Sequence, residues 1–448
     1  MSAITISEKT FTSGELALII NGVEEKYSVQ KLPDRKSQLV LDSRQDMLGK
    51  LSIDILVTNF ENTADFIFLA YNALAGTEVW ARVSGLQKSL LDLTGDCVNV
   101  LDIFGIQSQE VAKALIKTYD LLLRRRDQLA KTQLKTCAKI ANDMATESEI
   151  LSDKIINLSS QSDSINQQVI TLKTLSESEK ANLLAKFNEL KAKNDAAEVT
   201  RKKLAEDMER LTREYYASVE KLKDGWFKGA VKAVANFCGV RVKDPNEEAL
   251  REVHATYNRD SQRYNQLILE NLNEIREYAQ QMSIAQSDIS DANRAAQNFY
   301  YANRGISGII AALADATIFW RTIAAYCSEL EKSGFSNAVI DYEDNLSPEE
   351  LTKEYSSKEF MLLFVKNLSQ WVALQSISRE YGISAQNTYK KIASNIEASP
   401  SIEQAKSLTP VLAQRILPIL DKQISALQSQ MEKDRRWGNY LNVVNANI

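Results

Sequence analysis

The feature that most constrains this chain is a pair of long stretches free of glycine and proline. Neither residue occurs from Ile106 to Lys223 or from Asn246 to Arg304. Proline costs a helix interior about 3 kcal/mol and glycine about 1, so their absence permits very long uninterrupted helices. The flanks Ile165–Leu222 and Asn246–Asn303 match in length, at about 58 residues or roughly 87 Å of helix each. Between them lies a short, apolar, glycine-punctuated segment, DGWFKGAVKAVANFCGVR at Asp224–Arg241. The pattern predicts an antiparallel helical hairpin with that segment at its tip.

Hydrophobic spacing agrees. Met144, Leu151, Ile155, Leu158, Ile165, Val169 and Leu172 fall on steps of three, four and seven, and Leu204, Met208, Leu211, Tyr215, Val219 and Leu222 on steps of three and four. In the return arm Ile268, Ile275, Met282, Ile289 and Ala296 recur every seven residues. Such spacing marks helices that pack along their length. The serine-rich run Ser159–Ser164 is a candidate interruption, making Ile106–Leu158 a separate helix; a continuous helix is the other reading, since serine costs a helix little.

Strand character is confined to residues 1–60. Leu16–Ile20 and Val23–Val29 flank Asn21-Gly22, the signature of a two-residue hairpin turn. Leu39–Leu41 and Leu51–Val57 are further strand candidates, the latter equally the start of a helix. From Asn62 to Gly105, the glycines at 76, 85, 95 and 105 predict short helices. Beyond the return arm, Gly305–Phe335 is a second apolar patch, either a core helix or a reserve of apolar surface. Ser347-Pro348 has the order of a helix start. Ser357–Ser394 reads as an amphipathic helix with a possible break near Gly382, and a last helix is expected from about Ile419 to Arg436. The fold class is therefore mainly α: an elongated bundle of very long antiparallel helices with a small N-terminal α/β cap. The expected organisation is a cap at 1–105, a helical stalk at 106–304 with its tip at 224–242, and C-terminal helices at 305–448 packing on the bundle.

Composition narrows the function classes. The 448-residue chain carries a net charge of −5, which argues against a nucleic-acid binder, since phosphate neutralisation needs a basic field. Cys97, Cys137, Cys238 and Cys327 show no CxxC or framework spacing and read as buried thiols. The one histidine, His254, stands beside Glu252 and Tyr257 in the return arm and reads as a helix-surface residue; neither a histidine metal site nor a Ser-His-Asp or Cys-His arrangement has support elsewhere in the chain, and no nucleotide-binding or nucleophile-elbow motif is present. No enzyme activity, cofactor or metal is expected. The N-terminal MSAITISEKTF lacks a basic region followed by an apolar one, so no classical signal peptide is expected, and no apolar run is long enough for a constitutive transmembrane helix. Arg124–Arg126 reads as a solvated basic cluster or a partner for nearby acids.

The tip carries the remaining signal. On a helix, Gly225, Lys228, Gly229, Lys232, Asn236 and Gly239 share one narrow small or polar face, while Trp226, Phe227, Val231, Val234, Phe237 and Val242 fill much of the rest. A basic amphipathic segment with aromatics at its start has the composition of an interfacial helix. The competing reading is an apolar turn tucked against the protein's own cap.

The layout resembles the cytolysin A superfamily of α-helical pore-forming toxins, which includes the Bacillus three-component enterotoxin subunits and the two-component Xax/Yax-type cytotoxins. The resemblance lies in the two very long helices flanking DGWFKGAVKAVANFCGVRV, the tryptophan-bearing IFWRTIAAYCSEL after the return arm, and the later QWVALQSISREY helix. It covers roughly Ile106–Ser394. It implies a soluble form made in the cytoplasm, then released and associated with a target membrane, with a partner toxin subunit and a homo- or hetero-oligomeric ring. Trp226, Phe227, Val231, Val234, Phe237 and Val242 would contact lipid, and Lys228 and Lys232 would meet headgroups or the pore lumen. The rival readings are a non-lytic coiled-coil scaffold or adaptor whose tip binds a protein partner, and an effector that uses the helical body for delivery.

Overall fold

The computed structural model describes residues 4–6, 14–20, 22–51, 53–172, 293–300, 356–398 and 410–422, with shorter pieces within 175–192, 266–283 and 401–432 and residue 349. The protein is mainly α-helical, with long helices packed antiparallel and a small N-terminal β-hairpin. Three antiparallel strands, β1 (Ile4–Ile6), β2 (Glu15–Ile20) and β3 (Val23–Ser28), form a sheet in the order β1-β2-β3. Pairing of Ile20 with Val23 closes the two-residue loop anticipated at 21–22, and Gly22 takes φ +83° there. That left-handed conformation strains any residue with a Cβ. Leu16, Leu18 and Ile20 point alternately to one face and are buried with Tyr27 and Val29.

The helices follow as α1 (Gln38–Leu51), α2 (Ile53–Ala73), α3 (Trp80–Leu123), α4 (Asp127–Ile170) and α5 (Lys358–Ala398). The strand candidate Leu39–Leu41 is helical instead, within α1, and Leu51–Val57 follows its helical reading, with Leu51 closing α1 and Ile53 opening α2. Each of α3 and α4 has 44 residues, about 66 Å of helix at the standard rise. They run antiparallel: Lys154 pairs with Asp96 at 2.7 Å, and Ser89 bonds Gln161 at 3.3 Å. All but Leu172 of the anticipated seam Met144–Leu172 is fully buried.

Helix α5 crosses α3 in the opposite direction. Gly105 of α3 faces Ser378 and Arg379, Leu101 and Asp102 face Gly382, and Gly95 faces Tyr389. This corrects the expectation of short helices over Asn62–Gly105: α3 runs uninterrupted through Gly85, Gly95 and Gly105 and across the anticipated boundary at residue 105. Gly95 and Gly105 sit where α5 comes close, and helix packing outweighs a propensity penalty of about 1 kcal/mol each. Gly382 likewise leaves α5 unbroken. Of the four anticipated stops, Gly76, at φ +83°, lies in a turn, the one between α2 and α3.

Two breaks fall where no glycine or proline marks them. Arg125 takes φ +54° after α3. Its N–H donates to Leu122 O at 3.0 Å and that of Arg126 to Leu121 O at 2.8 Å, the paired bonds of a Schellman termination. The basic cluster is therefore the turn of the α3–α4 hairpin, with Arg124 paired to Asp120 at 3.0 Å. Helix α4 passes through Ser159–Ser164 without interruption and ends at Ile170. The continuous arm expected from Ile165 therefore stops there: the Thr171 hydroxyl donates to Gln168 O at 2.7 Å, and the Ser176 carbonyl accepts the first bond of the next helical turn from Lys180 at 3.0 Å. The C-terminal helix also begins earlier than Ile419. Residues 410–422 are helical with Pro418 exposed among them.

The sheet covers the turn end of the α3–α4 hairpin. Leu16, Leu18 and Ile20 share a cluster with Tyr119, Leu121 and Leu122 of α3, Ala130 of α4, and Met361 and Val365 of α5. Tyr119 and Phe364 place their ring centroids 4.5 Å apart. Burial pushes the Tyr119 and Tyr27 hydroxyls well above the usual phenol range. Tyr27 donates to Glu25, whose carboxylate accepts the Gln38 N–H at 3.0 Å and so complements the N-terminus of α1. Helix α1 is then clipped along α5 by Arg35 to Gln375 at 3.2 Å and Arg44 to Ser376 at 2.8 Å.

Candidate functional site

The anticipated membrane-contacting residues Trp226, Phe227, Val231, Val234, Phe237 and Val242, with Lys228 and Lys232, lie outside the described residues. So do His254, Cys238, Cys327, the patch Gly305–Phe335 and, in the return arm, Ile268, Ile275, Met282 and Ile289. What the structure gives is the ground on which the two flanks of the tip stand. Outgoing, Leu172 and Leu183 pack against the principal core. Returning, Leu269 packs on the same core, and Leu272, Ala279, Ala295, Ala296 and Phe299 are buried within it. Arg276 of the returning flank also pairs with Asp421. Departure and return are thus anchored in one hydrophobic body.

The described residues bring together a different constellation, centred on α2. Every residue from Asn62 to Ala75 is buried. A helix buried all round is ordinarily apolar all round, yet this one carries Asn59, Asn62, Thr63, Asp65 and Asn72 in the core. The Asp65 side chain is 3% exposed and accepts from Lys391 Nζ of α5 at 2.7 Å. Arg415 approaches its other oxygen to 3.7 Å, and Glu61, one turn earlier on α2, lies 3.6 Å from Lys391. Two acids of α2 therefore meet one cation from α5 and one from the 410–422 helix. Burial raises the Asp65 carboxyl above the usual carboxylate range; Lys391 and Arg415 pull against that shift, and Glu61 adds to it. The unpaired charge would be untenable there, so the pair clasps α2 to two neighbours.

The sequence held a signal for this cluster, an aspartate within the mostly apolar run TADFIFLAYNALA at 63–75. It is obscured by reading the glycines after Asn62 as punctuation, which divides the region into short surface helices. Helix α2 has a helix on either side of it in the chain, and its acids Glu61 and Asp65 meet their cations in the distant Lys391 and Arg415.

Other reactive groups are quiet. Cys97 and Cys137 are free and buried, each thiol pushed up to about 12 by burial, so neither is a thiolate at neutral pH. Burial lowers the Lys366 ammonium from its usual value. Among the described residues no group of three or more His, Cys, Asp or Glu side chains is placed to hold a metal ion, and no helix is long and apolar enough to cross a membrane. Compared with known proteins, the chain matches no family model and no curated sequence.

Proposed function

We propose that this protein is a component of an α-helical membrane pore, which binds lipid through the amphipathic tip at 224–242, oligomerises and permeabilises a target membrane. One observation carries the reading: Leu172 and Leu183 before the tip, and Leu269 and Leu272 after it, are held by a single core built on helices of 44 and 41 residues. A long-helix body that anchors both flanks of one apolar segment suits delivery of that segment to a surface. Trp226, Phe227, Val231, Val234, Phe237 and Val242 would bury apolar area in the membrane, worth about 1.5–3 kcal/mol for each large side chain. Lys228 and Lys232 would meet headgroups or, in an assembled ring, the lumen. Oligomerisation follows from hydrogen-bond satisfaction, because helices leave no unpaired backbone in lipid and a polar face needs neighbours to enclose water. A partner toxin subunit and a target membrane are part of this proposal, and nucleic acid is not.

The test is dye release and pelleting with loaded liposomes, using wild type and the Val231→Asp, Val234→Asp double variant. The wild type is expected to pellet with liposomes, and to release dye alone or with its partner subunit; the variant is expected to do neither while keeping its thermal midpoint. Equal binding by the variant would end the proposal. A wild type that forms stable dimers and ignores liposomes of several compositions would point to a scaffold whose tip binds protein.

A further inference from the structure

The α3–α4 hairpin is sorted by charge along its length. From Val111 to Asn142, around the turn, eight basic residues stand against two acidic ones, in a chain whose net charge is −5. The next level of the hairpin, Asp92–Glu110 with Asp143–Asp163, carries nine acidic residues and one basic one, Lys154. Both helices change sign together: the pairs Lys154–Asp96 and Gln161–Ser89 set a register that brings Asn142 to the level of Ser108. Lys154 is held by Asp96 at 2.7 Å, so the one base among those acids is already engaged within the chain.

Sorting of this kind costs a helix that faces only water. Acids and bases four apart stabilise an exposed helix, and like charges four apart destabilise it. On α4, Lys131, Lys135 and Lys139 are four apart, as are Asp143 and Glu147, and Glu149 and Asp153. The arrangement gains where a field of opposite pattern is laid alongside.

A second copy of the same face carries that pattern. On the side of α4 away from its buried seam, Lys135, Asn142 and Glu149 recur every seven residues, as do Lys139, Thr146 and Asp153, offset by four. This is the spacing of a stripe that meets another helix along its length. Five of the six are exposed and Glu149 is half-buried, while Ile150 beside them is 45% exposed. Inverted about a point between Asn142 and Thr146, the stripe complements itself. Lys135 then meets Asp153 of the second copy, Lys139 meets Glu149 and Asn142 meets Thr146, and two-fold symmetry repeats each pair.

We propose that this face of α4 is a two-fold contact between copies of the chain, forming a salt-sensitive homodimer in solution. The stripe from Lys135 to Asp153 is about 27 Å long. One helix face of that length falls short of the roughly 800 Å² per partner of a standard interface, so the dimer is a transient one. An isologous contact closes on itself and does not extend into a ring. It is therefore independent of the membrane reading and open to a pore component and a scaffold alike.

Sedimentation equilibrium of the full chain, in the absence of lipid, tests it. The wild type is expected to populate a dimer whose dissociation constant is at least about tenfold weaker in about 0.5 M salt than in about 0.05 M. Lys135→Glu and Asp153→Lys, both at exposed positions, are each expected to weaken the dimer at least about tenfold through like-charge contact while keeping the thermal midpoint. An equimolar mixture of the two variants is expected to regain wild-type affinity, because both pairs across the contact are then opposite in sign. A wild type that is monomeric at both salt concentrations would overturn the proposal; so would a dimer indifferent to salt, or a mixture of the variants that stays monomeric. A monomeric wild type that pellets with vesicles of anionic lipid, and ceases to with Lys135→Glu, would assign the basic end to a lipid surface instead.

Discussion

Helices α2 and α4 occupy the same core and differ in how a buried charge enters it. In α4, Met144, Leu151, Ile155, Leu158, Ile165 and Val169 form one buried stripe, and the buried Ser148 satisfies its hydroxyl on its own helix, donating to Met144 O at 3.0 Å. Pattern and burial agree along that stripe, although Oγ of Ser162 and Oδ1 of Asn166 are also buried on α4 without a partner. In α2 the buried surface includes the Asp65 carboxylate, answered from outside the helix by Lys391 and Arg415. Both helices thus rest on buried apolar side chains, Phe60, Phe66, Ile67 and Leu69 among them in α2, and α2 adds a charge pair that bridges distant parts of the chain.

The largest expected effect sharpens that contrast. Ile155 is fully buried in the seam of α4, so Ile155→Ala removes packing and leaves a cavity, costing about 4 kcal/mol in chemical denaturation. Because α4 is joined to the rest of the core throughout, the loss should appear as one cooperative shift with no dependence on pH near neutrality. A separate early transition confined to the variant's α4 would break the comparison.

Lys391→Met comes next, at about 3 kcal/mol near neutral pH, since it strands a buried carboxylate. The sign of its pH dependence follows from the raised Asp65 carboxyl. A group with a raised folded-state value favours the fold fully at pH below its unfolded value, and loses that favour as pH rises through the folded value. With Lys391 gone the folded value rises further. The deficit of the variant against wild type should therefore be greatest at neutral and higher pH and shrink on acidification as Asp65 takes up a proton. Denaturation of both proteins across that range would show it; a deficit that is flat or grows in acid would mean that the charge of Asp65 is not what makes Lys391 matter.

Much of this fold is legible in the sequence, for reasons that are local. The loop between Ile20 and Val23 follows from Gly22, and the α4 seam follows from a period of three and four over more than six turns. Helix α5 follows in the same way, within a few residues at each end. The failures are non-local. Gly95 and Gly105 look like stops until Tyr389, Ser378 and Arg379 are seen against them. Arg125 looks like helix until the Leu121 and Leu122 carbonyls are seen to be capped beyond it. The clasp on Asp65 depends on residues more than three hundred positions away. For the tip at 224–242 only the composition and the anchored flanks speak, and liposome binding by the Val231→Asp, Val234→Asp variant carries the decision.

The smallest effects put the glycine lesson to a direct test, because one substitution should have opposite signs at two sites. Gly76 lies in the turn between α2 and α3 at φ +83°, a conformation that any Cβ strains, so Gly76→Ala should destabilise by about 1 kcal/mol. Gly105 lies inside α3 with ordinary helical backbone, and a Cβ built there meets Arg379 Cγ and Ser378 Cβ at 3.7 Å, ordinary contact distances. Alanine there gains helix propensity and restricts the unfolded chain without crowding α5, so Gly105→Ala should stabilise by about 0.5–1 kcal/mol. Urea midpoints of the two single variants separate the cases. A loss at both sites would mean that α3 and α5 pack more tightly at Gly105 than those distances imply, and that its glycine is required by contact as Gly76 is required by backbone.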